Sequence, residues 1–144
     1  MGDSYASATL GGEGRNVEAL GVFVAWLVAN DLLDPAFAAS AGAPVTRLRM
    51  QDLNGAEFLT TVMHGELAPH QLTDDGRRFT ESYFLSGEFQ RDYDAVDYTG
   101  SDEWHRYDLV APRIRSAWQK LHSPLQKIRS TGAKILQFPG RKRS

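Results

Sequence analysis

The chain of 144 residues is 42% hydrophobic and 24% charged, which suits one globular domain with a buried core and excludes wholesale disorder. It has no cysteine, which excludes disulfides and thiolate metal sites and fits a reducing, cytoplasmic setting. The formal net charge of −2 conceals a division: residues 1-122 hold ten basic and all eighteen acidic residues, a net −8, while residues 123-144 hold six basic residues and no acid.

Residues 1-15 are rich in Gly, Ser and Ala and read as a flexible leader. They carry neither the basic n-region nor the apolar h-region of a secretory signal, and no apolar run approaches the ~20 residues of a membrane helix. Asn16 offers an N-cap, and Val17, Leu20, Val24, Leu27 and Val28 then recur at helical spacing. Phe23 and Trp26 widen that stripe, so this is expected to be the central, most buried helix, ending at Asn30-Asp31. Gly21 inside it implies the close approach of another backbone or a ring. Asp34-Pro35 begins a short helix that runs to about Ala41 and stops at Gly42. Residues 42-52 read as a connection or a frayed lead-in to the next helix. Asn54 and Glu57 form a capping box for a helix that carries Phe58, Leu59 and Val62 and ends at His64-Gly65.

Thr73-Asp74-Asp75 caps and charges the next helix, whose apolar side holds Phe79, Tyr83 and Phe84. Ser86-Gly87 breaks it, and a short helix with Phe89, Tyr93 and Val96 follows. After the turn Thr99 to Asp102, the positions Trp104, Tyr107, Val110, Ala111, Ile114, Trp118 and Leu121 give a long helix, in which Pro112 should cause a kink or a split. Ser123-Pro124 closes it. The fold class expected is all-α, a single compact bundle of about five or six helices over residues 16-122, with residues 123-144 as a basic C-terminal tail.

No catalytic set emerges. His64 and His70 lie six apart, and His105 and His122 are isolated, so no pair has the i, i+4 spacing that places two imidazoles on one metal. Asp92, Asp94 and Asp97 lack the ligand spacing and the glycine of a calcium loop. Without a thiol or a nucleophile elbow the serines have nothing to activate them. Neither a metal nor a cofactor is expected, and the protein reads as a non-enzymatic one.

What stands out is Tyr83 to Tyr107, where seven aromatics alternate with six acids. By spacing, the aromatics belong mostly to the core, with Trp26 and Trp118. The acids must face solvent or a partner, and clustered carboxylates steer a basic partner while Tyr and Trp anchor it. The partner-binding residues expected are Asp92, Asp94, Asp97, Tyr98, Asp102 and Glu103. The alternative is a nucleic-acid-associated or regulatory module that contacts nucleic acid through Lys134, Arg141, Lys142 and Arg143 of the tail, although a body at −8 would repel nucleic acid.

The ordered fragments GVFVAW, LNGAEFL, LTDDGRRF, RDYDAV and a final W-x-x-Y helix resemble a family of small bacterial helical domains grouped as a domain of unknown function, over about residues 17-118. The resemblance implies a small, free-standing cytoplasmic helical protein and carries no established reaction. Small bacterial domains of this kind are often immunity proteins, which implies a cognate toxin as the basic partner.

Overall fold

The computed structural model describes residues 5–7, 14–100 and 102–122 of a chain that divides into two units, Met1–Ile114 and Arg115–Ser144. The fold is all-α. Among the described residues, α1 (Gly14–Ala29), α2 (Pro35–Ala41), α3 (Ala43–Arg49), α4 (Gly55–Thr61), α5 (Asp74–Phe79), α6 (Glu88–Ala95) and α7 (Glu103–Leu121) are joined by short turns. The residues proposed as tail lie outside the described part.

Most helix starts are built by the caps that the sequence advertises. Asp34 Oδ2 accepts from the amides of Ala36 and Phe37 at 3.0 and 3.1 Å, and Pro35 occupies the first helical position. The Asn54–Glu57 capping box is complete, with bonds of 2.8 and 3.0 Å. Thr73 Oγ1 accepts from the Gly76 amide at 3.0 Å. Gly87, at φ +92°, turns the chain into α6. α1 begins at Gly14, two residues before Asn16, and Asn30 closes it by donating to the Trp26 carbonyl at 2.9 Å.

Three local features depart from the sequence reading. Much of the supposed connection at 42-52 is α3: Pro44 stands in its first turn, and Val45 and Leu48, three apart, are its buried side. Of the kink or split expected at Pro112, the split does not occur: Pro112 is exposed and α7 runs continuously past it. Within the lead-in, Ala6–Ser7 (β1) pairs antiparallel with Glu66–Leu67 (β2), and the Tyr5 amide donates to the Leu67 carbonyl at 2.7 Å.

In the first unit α1 is the axis, with every residue from Ala19 to Val28 buried. On one side it meets α4 backbone to backbone: a Cβ at Gly21 would stand 2.5 Å from the Ala56 nitrogen, and one at Gly55 would collide with the Gly21 carbonyl. On another side Phe23 enters an aromatic cluster, with ring centroids 5.0 Å from Phe84, 5.1 Å from Phe89 and 6.1 Å from Phe79. Trp26 stands 5.3 Å from Phe79. Each such pair adds about 0.5–1.5 kcal/mol to the burial of its rings, so the contacts from α5 and α6 lock both helices onto α1. Between α5 and α6 the chain passes through a π-helical turn, Thr80–Phe84, which rotates Tyr83 into the core beside Phe79 at 5.0 Å. Buried Thr80 satisfies its hydroxyl by donating to the Gly76 carbonyl at 2.8 Å.

α7 contributes Val110, Ala111 and Ile114 as fully buried positions, whereas Trp104 and Tyr107 are half-buried and pack edge to face at 5.1 Å. In the second unit, half-buried Trp118 packs against His122 with the rings tilted by 34° and their centroids 4.0 Å apart, and His122 Nδ1 lies 3.0 Å from the Trp118 carbonyl. Among the described residues no helix is long and apolar enough to cross a membrane.

Candidate functional site

The acidic-aromatic stretch folds around an arginine. Phe89 and Tyr93 are four apart on α6, so they share a face; Phe89 is buried in the aromatic cluster and Tyr93 is left half-buried at its edge. The chain then leaves α6 at Val96 and turns. Tyr98 closes the turn by accepting from the Asp102 amide at 3.0 Å, and Asp102 starts α7 by accepting from the amides of Trp104 and His105 at 3.0 and 3.3 Å. One turn into α7, Arg106 projects back beneath this loop with only 14% of its side chain exposed.

Arg106 is held by many long contacts rather than one short one. Its Nη1 lies 3.4 Å from Glu18 Oε1 on α1, 3.5 Å from Glu103 Oε2 and 3.4 Å from the Tyr93 hydroxyl; its Nη2 donates to the Gly100 carbonyl at 3.1 Å. The guanidinium carbon sits 5.2 Å from the centre of the Tyr98 ring and 5.9 Å from that of Tyr93, within cation–π range. Strong charge-assisted bonds run at about 2.7–2.9 Å, so the two ion pairs are loose, and the guanidinium is retained by the sum of its surroundings.

Beside it opens a cleft of about 260 Å³ lined by Glu18, Tyr93, Asp94, Val96, Tyr98 and Arg106. Two carboxylates, Glu18 and Glu103, pair with the Arg106 guanidinium, and a third, Asp94, lines the cleft. Burial raises the pKa of Glu103 above the ordinary carboxylate range, and the like charge of Glu18 adds to the rise while Arg106 opposes it. Burial likewise raises the Tyr93 phenol, against the pull of Arg106. Among the described residues no three His, Asp or Glu side chains converge as metal ligands. The cleft offers carboxylate acceptors, two phenol rings and one fixed positive charge at its wall.

The six residues singled out from the sequence have separate positions. Asp94 and Tyr98 line the cleft, and Glu103 joins it through Arg106. Asp97 is exposed on the adjoining turn. Asp102 is the helix cap. Asp92 faces the interior, accepting from Tyr83 at 2.5 Å with Arg113 3.6 Å away. Glu18, Tyr93 and Arg106, which also line the cleft, were not among the residues expected to bind a partner. Glu18 is 88 residues from its arginine; its signal was a solitary acid on an otherwise apolar helix. Lys134, Arg141, Lys142 and Arg143 lie outside the described residues.

Residues 8–107 match the family described as Domain of unknown function (DUF7832), and the chain belongs to that family. The matched span contains every residue that lines the cleft. No match appears among curated proteins or among solved structures.

Proposed function

We propose that this domain is a non-enzymatic protein-binding module that docks a basic protein partner on the acidic-aromatic end formed by α6, the turn at 96–102 and the start of α7. Occlusion of a cationic groove, as an immunity protein does to a bacterial toxin, is the use that suits such a surface. The observation that carries the reading is the cleft itself: carboxylates and tyrosines around a half-enclosed space, in a chain whose first 122 residues carry a net −8. Carboxylates gathered at one end raise the encounter rate with a cationic surface. Tyrosine rings already fixed by neighbours lose little freedom when they bind. The lining is a set of groups that hold a cation.

The test is co-purification of the tagged chain with the product of a neighbouring gene, which the reading expects to be basic, followed by titration calorimetry. Binding should fall by about tenfold or more when Asp94 and Asp97 are both changed to Lys, since opposed charges become like charges at the contact. Undiminished affinity in that double variant, with its fold intact by circular dichroism, would remove the acidic end from the interface. Asp92 is unsuited to this experiment, because its carboxylate holds Tyr83 in the core.

A further inference from the structure

Building on that docking reading, we infer that Arg106 is the positioning residue of the acidic-aromatic end: from beneath, its guanidinium fixes the turn that follows α6, so that Asp97 and Tyr98 meet the partner in one geometry. The turn has little else to hold it. None of the residues from Val96 to Gly100 is buried, so the apolar core gives this segment no anchor, and a segment with few buried contacts opens at low free energy. Arg106 has only 14% of its side chain exposed and stands one helical turn before buried Val110.

The fork of the guanidinium suits a tie between elements, because the protons on its two terminal nitrogens point in fixed directions. Nη1 is turned to the helices, where it lies 3.4 Å from Glu18 on α1, 3.5 Å from Glu103 on α7 and 3.4 Å from the Tyr93 hydroxyl on α6. Nη2 is turned to the loop and makes the shortest of these bonds, 3.1 Å to the Gly100 carbonyl. The charge is thus settled among the helices by one nitrogen, and the turn is held by the other. A lysine at this position would keep the charge and lose the second nitrogen.

Tyr98 completes the tie from the other side. Its ring centre lies 5.2 Å from the guanidinium carbon, and its hydroxyl accepts from the Asp102 amide at 3.0 Å. Gly100 leaves room for that ring: a Cβ there would stand 2.5 Å from the phenol carbon that bears the hydroxyl. Turn, ring and helix cap therefore form one assembly with the guanidinium at its base. The helices have other supports, since Phe89 holds α6 in the aromatic cluster and α7 buries Val110, Ala111 and Ile114.

Amide hydrogen exchange of the full chain, read by nuclear magnetic resonance, tests this, because the Asp102 amide reports whether Tyr98 is in place. Arg106→Lys, which keeps the net charge, should speed exchange at Asp102 by about tenfold, while the amides of α6 and of α7 beyond Val110 keep their protection. Gly100→Ala should speed it likewise with Arg106 intact, by displacing the ring. Unchanged exchange at Asp102 in either variant would overturn the inference. So would protection lost along the whole of α7 in the lysine variant, the mark of a residue that merely holds the fold. Towards the basic partner, Arg106→Lys should bind about fivefold more weakly with an unaltered dependence on salt, since the turn is competent for a smaller fraction of the time at the same charge. The two readings fail separately. If exchange at Asp102 quickens but the partner binds the lysine variant as tightly as the parent, the docking reading stands and the positioning role falls. If no basic protein binds the parent, the docking reading falls, and exchange at Asp102 still decides whether Arg106 fixes the turn.

Discussion

Tyr83 has its ring in the aromatic core and must still place a hydroxyl, which Asp92 accepts at 2.5 Å. A hydrogen bond to a charged group contributes about 1.5–3 kcal/mol when buried; Asp92 is 28% exposed and also has Arg113 at 3.6 Å, so the lower half of that range applies. Tyr83→Phe should therefore lose about 1.5–2 kcal/mol in urea denaturation, and a double-mutant cycle with Asp92→Asn should return most of that loss as coupling. Burial, then the Asp92 bond, raises the phenol pKa far above its ordinary value. The folded form thus keeps its proton while the unfolded chain releases it near pH 10. Stability falls above that pH in the parent, and less so in the phenylalanine variant. Glu103 has the same sign at a different pH. Its folded pKa is raised above the unfolded 4.5, mainly by burial, so its contribution is full below that value and is lost as pH rises through the folded one. Glu103→Gln should accordingly gain melting temperature relative to the parent at pH 7 and gain less, or lose, at pH 4.

At the scale of the elements, the α1–α4 contact is the most demanding. Gly21 and Gly55 face each other with backbone on both sides, so an added methyl meets atoms that cannot rotate away. Gly21→Ala and Gly55→Ala should each cost about 3 kcal/mol, the upper end for overpacking, measured as a shift in denaturation midpoint. Asn54→Ala, which removes only a cap, should cost about 1 kcal/mol. These elements were legible because their signals are local: Asn54 with Glu57, Asp34 with Pro35, Thr73 before two acids, and a glycine that only a close neighbour explains. α3 was not, since Val45 and Leu48 supply too short an apolar pattern, its N-cap is a glycine with no side chain to cap with, and its first turn holds a proline. The β1–β2 pairing and the π-helical turn at Thr80–Phe84 left no sequence pattern either. The first depends on the Leu67 carbonyl far along the chain, and the second on the demand for Tyr83 in the core.

For the molecule as a whole, the site was half legible for the same reason. Acid and aromatic content between Tyr83 and Tyr107 pointed to the segment that lines much of the cleft, and composition showed the charge division. The cleft depends on Glu18 from α1 meeting Arg106 from α7, and that meeting follows from tertiary packing alone. The fold also sorts the acids. Asp92 and Asp102 are engaged by Tyr83 and by the start of α7, whereas Asp94 and Asp97 are exposed and Glu18, beside Arg106, keeps 46% of its side chain exposed. If those charges act by steering, salt should alter the approach more than the bound state. The Debye length shrinks from about 10 Å at 0.1 M to about 3 Å at 1 M, so long-range attraction fades while contacts inside the cleft persist. Stopped-flow association with the basic partner should slow by about tenfold or more across that range, with a far smaller change in dissociation rate. A dissociation rate that carries most of the salt effect would mean that the carboxylates act by direct pairing in the complex, and that the net charge of the chain has little part in bringing the partner in.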